Sequence, residues 1–182
     1  MLAGEVPSDK SWQVSRSDDA IVWTGPAGKL VLFKKPWRIE AYDRDGRLLT
    51  RTQTLGDPAT FSAPMPFSFV RRGRDFGRSM AASFRLAPDE KIFGCGESFT
   101  GFDKRGQKVV LWTDDGNGVQ SREIYKPIPF FMSSRGYGMF VHTTTPITCD
   151  FGKAFSALNS LAIGDDELDL FIFLGEPKQV LD

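Results

Sequence analysis

Three pairs of adjacent aspartates stand out as residues that could do acid–base chemistry: Asp18-Asp19, Asp114-Asp115 and Asp165-Asp166. Work on one bond needs two carboxyl groups converging on it, whereas neighbours in extended chain project to opposite faces. None of these pairs therefore reads as a catalytic dyad. Glu97 lies between Gly96 and Ser98 and has the look of an active carboxylate in a glycine-rich bend. The reading adopted here is structural, with its carboxylate held by backbone amides or a nearby arginine, Arg105 or Arg135. Metal chemistry has little support. His142 is the only histidine, no C-x-x-C occurs, and Cys95 and Cys149 lie far apart, so no zinc site is expected. The two cysteines could form one disulfide, but two buried free thiols are the commoner outcome in a chain of this size. His142 is expected to be a strand residue with a satisfied ring.

Elements that could position such residues are mostly strands. Ala20-Ile21-Val22-Trp23-Thr24, a turn over Gly25-Pro26-Ala27-Gly28, and Lys29-Leu30-Val31-Leu32-Phe33 read as a hairpin. Trp37, Ile39 and Ala41 alternate with Arg38, Glu40 and Tyr42, a period of two that puts one row on the core and the other outward. Asp43-Arg44-Asp45-Gly46 turns the chain, because Asp bonds nearby amides and Gly accepts positive φ. Arg47-Leu48-Leu49-Thr50-Arg51 is the returning strand.

From Leu55 to Phe69, Pro58, Pro64 and Pro66 predict an irregular connection. The cluster Arg71-Arg72-Gly73-Arg74 reads as a solvated hairpin tip rather than a binding patch. Ser79 to Leu86 reads as strand, Pro88-Asp89-Glu90-Lys91 as turn, and Ile92-Phe93 as a short element. Later strands are expected at Lys108–Trp112, Ile128–Met132, Gly138–His142, Ile147–Phe151 and Leu168–Leu174. Only Glu176 to Asp182 resembles a helix start, and its abrupt end suggests a longer protein. Many short strands with turn signals between them predict one all-β antiparallel sandwich over residues 1–182.

Composition agrees with a globular domain: 41% hydrophobic and 25% charged residues. At 182 residues the chain is long enough to fold without staples. Aromatics reach 13%, led by 16 Phe, and serve first as core, though aromatic faces also bind sugars. Lys plus Arg and Asp plus Glu are 23 each, so no general attraction to nucleic acid or anionic lipid is expected. A neutral partner fits better. No stretch is apolar enough to span a bilayer, and residues Met1 to Ser8 lack the basic and apolar regions of a leader. Location stays open between cytoplasm and export.

The stretch from Phe93 to Gly152 carries a family pattern. It contains Gly94-Cys95-Gly96-Glu97-Ser98-Phe99, then Lys104-Arg105-Gly106-Gln107, then Trp112-Thr113-Asp114-Asp115-Gly116. It continues with Tyr125-Lys126-Pro127-Ile128-Pro129-Phe130 and Ser134-Arg135-Gly136-Tyr137-Gly138-Met139-Phe140-Val141. In that order these segments resemble G-x-G-E-x-F, K-R-G-Q, W-x-x-D-G and Y-K-x-I-P-F…R-G-Y-G-x-F-V of glycoside hydrolase family 31. Leu30 to Thr50 and the tail from Phe171 also resemble that family.

The resemblance implies the N-terminal, galactose mutarotase-like β-sandwich of a retaining α-glycosidase, of α-glucosidase or α-xylosidase type. The family's (β/α)₈ barrel supplies both catalytic aspartates, and the expected barrel is absent from 1–182, so this chain alone should be inactive. The resemblance further implies that Asp115 bonds substrate hydroxyls from a loop reaching over the barrel mouth. A carboxylate suits this because it accepts from two adjacent hydroxyls. The plainer reading of Asp115 is an Asp-Gly turn residue bonding its own backbone. Trp112 has two readings, as a wall of the sugar site or as core or domain interface. The implied partners are an α-linked carbohydrate, the barrel of the same chain, and a second copy of the fragment through self-association. Neither metal nor organic cofactor is implied. Two competing readings remain: a free-standing carbohydrate-binding module, which needs exposed Trp or Tyr rings, and an aldose mutarotase, which a single histidine disfavours.

Overall fold

A computed structural model describes residues 10–53, 66–71, 73, 77–114 and 124–181. The chain opens with a five-stranded antiparallel meander: β1 (Gln13–Arg16), β2 (Ala20–Gly25), β3 (Gly28–Lys34), β4 (Trp37–Asp43) and β5 (Leu48–Arg51). Gly25 pairs with Gly28, leaving Pro26-Ala27 as a two-residue loop. Here Gly28 has a positive φ of 156°, and a Cβ would collide with the Tyr42 carbonyl on the neighbouring strand. The β4–β5 turn forms as its sequence predicts, with Asp43 Oδ1 accepting from the amides of Asp45 (3.1 Å) and Arg47 (2.8 Å).

Two further antiparallel sheets face each other. One has the order β14 (Leu170–Leu174), β11 (Tyr137–Val141), β10 (Phe130–Ser133), β8 (Ile92–Gly94). The other runs β6 (Phe67–Arg71), β7 (Arg78–Arg85), β13 (Leu158–Ile163), β12 (Ile147–Phe151), β9 (Lys108–Leu111). The main core fills the space between them. Ile147, Cys149 and Phe151 of β12 are buried while Thr148 and Asp150 are not, the strict alternation of a half-buried strand. Phe151 meets Phe131 of β10 edge to face at 5.1 Å. The all-β antiparallel expectation is met.

The first meander joins this sandwich through backbone. Thr52 bridges to Phe84 of β7, and the Gln53 amide donates to the Ser83 carbonyl at 2.9 Å. Arg135, in the β10–β11 turn, donates Nε to the Leu49 carbonyl (3.0 Å) and Nη2 to that of Leu48 (2.6 Å).

Several local expectations need correction. Phe67 to Phe69 is not irregular; it opens β6, an edge strand beginning just after Pro66, where the missing proline donor no longer matters. The strand expected from Ile128 starts at Phe130 because Pro127 and Pro129 lie at its entry, and that expected from Leu168 starts at Leu170. Trp112 and His142 each fall one residue beyond their strands. The outward row of β4 is not solvated. Glu40 is buried, bonded by Arg38 Nε at 2.6 Å and by the Tyr42 hydroxyl, with Arg51 at 3.9 Å. Burial raises the Glu40 carboxyl, but the Tyr42 and Arg38 bonds outweigh it and leave the group below its ordinary value. The sequence expectations do not include β1 or β13, both of which are present. At the tail, α1 (Pro177–Leu181) forms with proline at its first position.

Candidate functional site

Three positive-φ residues in succession, Gly94 (118°), Cys95 (70°) and Gly96 (81°), end β8 and turn the chain outward. A left-handed Cys is uncommon, and the run is stabilised from below: the Cys95 amide donates to the Phe130 carbonyl at 2.8 Å. Glycine is required on both sides. A Cβ at Gly94 would lie 2.6 Å from the Phe130 oxygen, and one at Gly96 would collide with the Lys126 carbonyl.

Beyond the turn, residues 97–107 form a loop fastened at several points. Lys104 is buried, yet its Nζ donates to Ser98 Oγ (2.9 Å), Thr100 Oγ1 (2.8 Å) and the Gly101 carbonyl (3.0 Å). Burial pushes its ammonium below the ordinary lysine value. Gln107 Nε2 adds bonds to the carbonyls of Gly101 (3.1 Å) and Asp103 (2.6 Å). Asp103 Oδ1 accepts from the amides of Ile92 (3.1 Å) and Arg105 (3.0 Å). Outside this frame stand Phe99, 64% exposed, and Phe102, 82% exposed. With Tyr125 they line an open groove of about 550 Å³ over Gly94, Gly96, Glu97, Ser98, Thr100 and Lys104.

Glu97 does not pair with Arg105 or Arg135, as sequence reasoning had suggested. It is exposed and meets Lys126 Nζ at 3.4 Å, while its amide donates to the Lys126 carbonyl at 3.2 Å. Arg105 instead donates to the carbonyls of Ala87 (2.8 Å), Glu90 (3.1 Å) and Ser156 (3.1 Å). The carboxylate tied into the core is Glu90. Its Oε1 accepts from Ser133 Oγ (2.5 Å) and Tyr137 Oη (2.6 Å), and Oε2 from the Ala87 amide (2.8 Å).

Burial first, then the Glu90 charge and bond, hold the Tyr137 phenol well above its ordinary value; burial and Glu40 raise Tyr42 to about 12. A raised acid favours the folded state fully below its unfolded pKa, about 10, and that contribution is lost as pH climbs toward the folded value. Alkaline titration followed by phenolate absorbance should therefore show Tyr137 ionising only together with loss of near-ultraviolet circular dichroism. Ionisation of Tyr137 in a still-folded protein would contradict the buried network.

Trp112 follows β9 at the sheet edge and is 52% exposed. It lines a small cleft with Pro127, Pro129, Thr143 and Thr145. Thr113 bridges to Ile124, so the stretch leaving β9 runs beside the stretch carrying Tyr125. Asp115 lies outside the described residues, as do its neighbours through 123. His142 Nδ1 lies 2.8 Å from Asp169 Oδ2, and the ring stacks on Phe140. Cys95 and Cys149 are free and buried; a hydrogen bond with Cys95 that favours the protonated Cys149 thiol, then burial, push that thiol up. Among the described residues no group of His, Cys, Asp and Glu is placed to hold a metal, and no helix is long and apolar enough to cross a membrane.

Comparison with known proteins places these features. Residues 2–150 match the model of the glycosyl hydrolase 31 N-terminal galactose mutarotase-like domain. An α-xylosidase of Lactiplantibacillus pentosus is 31% identical over 141 residues, covering 77% of this chain and 17% of that protein. An α-xylosidase of Emericella nidulans is 37% identical over 101 residues, 55% of this chain and 13% of its own length. Among solved structures, the cycloalternan-forming enzyme of Listeria monocytogenes, in complex with a pentasaccharide substrate, superposes with a TM-score of 0.77 at 20% identity. That match covers 96% of this chain and 16% of the enzyme. The chain thus spans less than a fifth of the length of each of these proteins.

Proposed function

Since this chain belongs to the family of glycosyl hydrolase 31 N-terminal galactose mutarotase-like domains, we propose that it is the non-catalytic first domain of a longer retaining α-glycosidase. The observation that carries this reading is the extent of the match: a sandwich covering 77% of this chain corresponds to 17% of an α-xylosidase. Retaining hydrolysis uses two carboxyl groups about 5–5.5 Å apart across one glycosidic bond. Among the described carboxylates, Glu90 is held in a buried network, Glu40 by Arg38 and Tyr42, and Asp169 by His142. In this reading the attacking and protonating carboxyls come from a barrel beyond Asp182.

This domain's part is to support that barrel and to present the stretch 113–118 to an α-linked sugar. Trp112, exposed at the end of β9, is the anchor from which the stretch departs, and Asp115 is the residue assigned to substrate hydroxyls. A mutarotase reading finds less support, because the sole histidine is tied to Asp169 and stacked on Phe140.

The test is Asp115→Ala in the barrel-bearing protein. Loss of a charged hydrogen bond to substrate should lower kcat/KM by about 5- to 150-fold, the equivalent of about 1–3 kcal/mol. Unchanged kinetics would remove Asp115 from the substrate site.

A further inference from the structure

We propose that the groove between the 97–102 loop and Tyr125 is a carbohydrate subsite, taking one or two pyranose rings of an α-linked oligosaccharide. It rests on the proposed sugar substrate but uses a different surface from Asp115. Three features of the groove point to this ligand class.

The first is how its aromatic rings are held. Phe99 and Phe102 are 64% and 82% exposed, and Tyr125 is 54% exposed, on the walls of one cavity of about 550 Å³. Exposed rings on a slack loop would fold down onto apolar surface. Here the loop is fixed from beneath by Lys104, a buried ammonium with three oxygen acceptors, and by Gln107 and Asp103. Phe93 supports the Phe102 ring at 5.1 Å. Rings held in place lose little freedom on binding, which is how a preorganised site gains affinity.

The second is the polar rim. Glu97, which lines the groove, and its partner Lys126, next in sequence to Tyr125, are 72% and 70% exposed in their side chains and only 3.4 Å apart. A pyranose presents C–H faces to aromatic rings and hydroxyls at its edge. A carboxylate beside an ammonium can accept from and donate to neighbouring hydroxyls, and this combination of apolar wall and few polar groups is the usual anatomy of a small-ligand site. The third is the floor. Gly94 and Gly96 line the cavity, Cys95 between them holds a left-handed φ of 70°, and Gly96 lets the backbone approach Lys126 closely. Such strain concentrates where a ligand is clamped.

All of the lining residues belong to this chain, so the site can be tested on the 182-residue protein by following backbone amide resonances while isomaltose is added. Saturable shifts confined to residues 94–104 and 125–126 are expected, with affinity falling about tenfold or more in Phe102→Ala and also falling in Glu97→Gln. Both changes are at exposed positions, so folding is retained and is checked by the unperturbed core amides. Val14→Ala, exposed on β1 and outside the groove, should bind as the parent does. No saturable shift up to roughly 100 mM sugar would overturn the subsite. So would shifts that survive Phe102→Ala and vanish in Asp115→Ala, which would place the contact on the 113–118 stretch and favour the function proposed above. Sugar-free broadening of the same amides with rising protein concentration would also overturn it, making the groove a contact between copies. Failure of the domain assignment is read separately, from turnover in the barrel-bearing protein.

Discussion

Glu90→Ala is expected to lower the free energy of unfolding by about 3–5 kcal/mol. Glu90 is 1% exposed, and its bond partners Ser133 and Tyr137 are 2% and 1% exposed. Removing the carboxylate leaves two hydroxyls and the Ala87 amide without their acceptor where water does not reach, and leaves a void beside them. The same carboxylate ties the turn before β8 to β10 and β11, so the loss spreads across one whole sheet. Urea unfolding measures it directly. Glu90→Gln keeps the shape and one acceptor and should cost clearly less. A Glu90→Ala protein within about 0.5 kcal/mol of the parent would show that the network contributes no net stability.

Gly96→Ala should cost about 4 kcal/mol and should disturb the groove at the same time. Two penalties combine: a side chain at φ 81°, and a Cβ forced against the Lys126 carbonyl, which belongs to backbone and cannot swing aside. Relief requires the Glu97–Lys126 bridge to open, which moves Tyr125 away from Phe99 and Phe102. The expected result is a lower urea midpoint together with shifted amide resonances from 94 to 104 and at 125–126. Retained stability and unshifted resonances would mean that this turn is not held as described. The contrast with Gly46 is useful: its φ is also positive, at 83°, but a Cβ there meets nothing within 4 Å, so Gly46→Ala should carry the conformational cost alone.

The strands that sequence alone reveals are those whose side chains are sorted cleanly between two environments. The hairpin of β2 and β3 is announced by Gly25-Pro26-Ala27-Gly28, and β12 by its alternation of Ile147, Cys149 and Phe151 with Thr148 and Asp150. By contrast, β13 reads Leu-Asn-Ser-Leu-Ala-Ile, poor in aromatic and β-branched residues, and is a strand because β7 and β12 flank it on both sides. The polar β1, Gln-Val-Ser-Arg, is likewise defined by its pairing with β2.

The site divides in the same way. Its motifs are legible as chain segments, and the resemblance they carry places the chain in the right family. Which carboxylate is buried is not legible, because Glu90 finds Ser133 and Tyr137 far along the chain, while Glu97 sits in the more suggestive local setting. The exposure of Phe99 and Phe102 is equally hidden, since a Phe-rich chain is expected to put those rings inside. What turns them outward is Lys104, a residue whose burial depends on three loop oxygens converging on it.

The most direct test of the central claim is hydrolysis of aryl α-xyloside and aryl α-glucoside by this 182-residue chain, run beside a longer protein that joins it to the proposed barrel. An accessory domain predicts turnover by the longer protein and none by the chain itself. Turnover by the chain would contradict the account, because it would require a catalytic pair within residues 1–182.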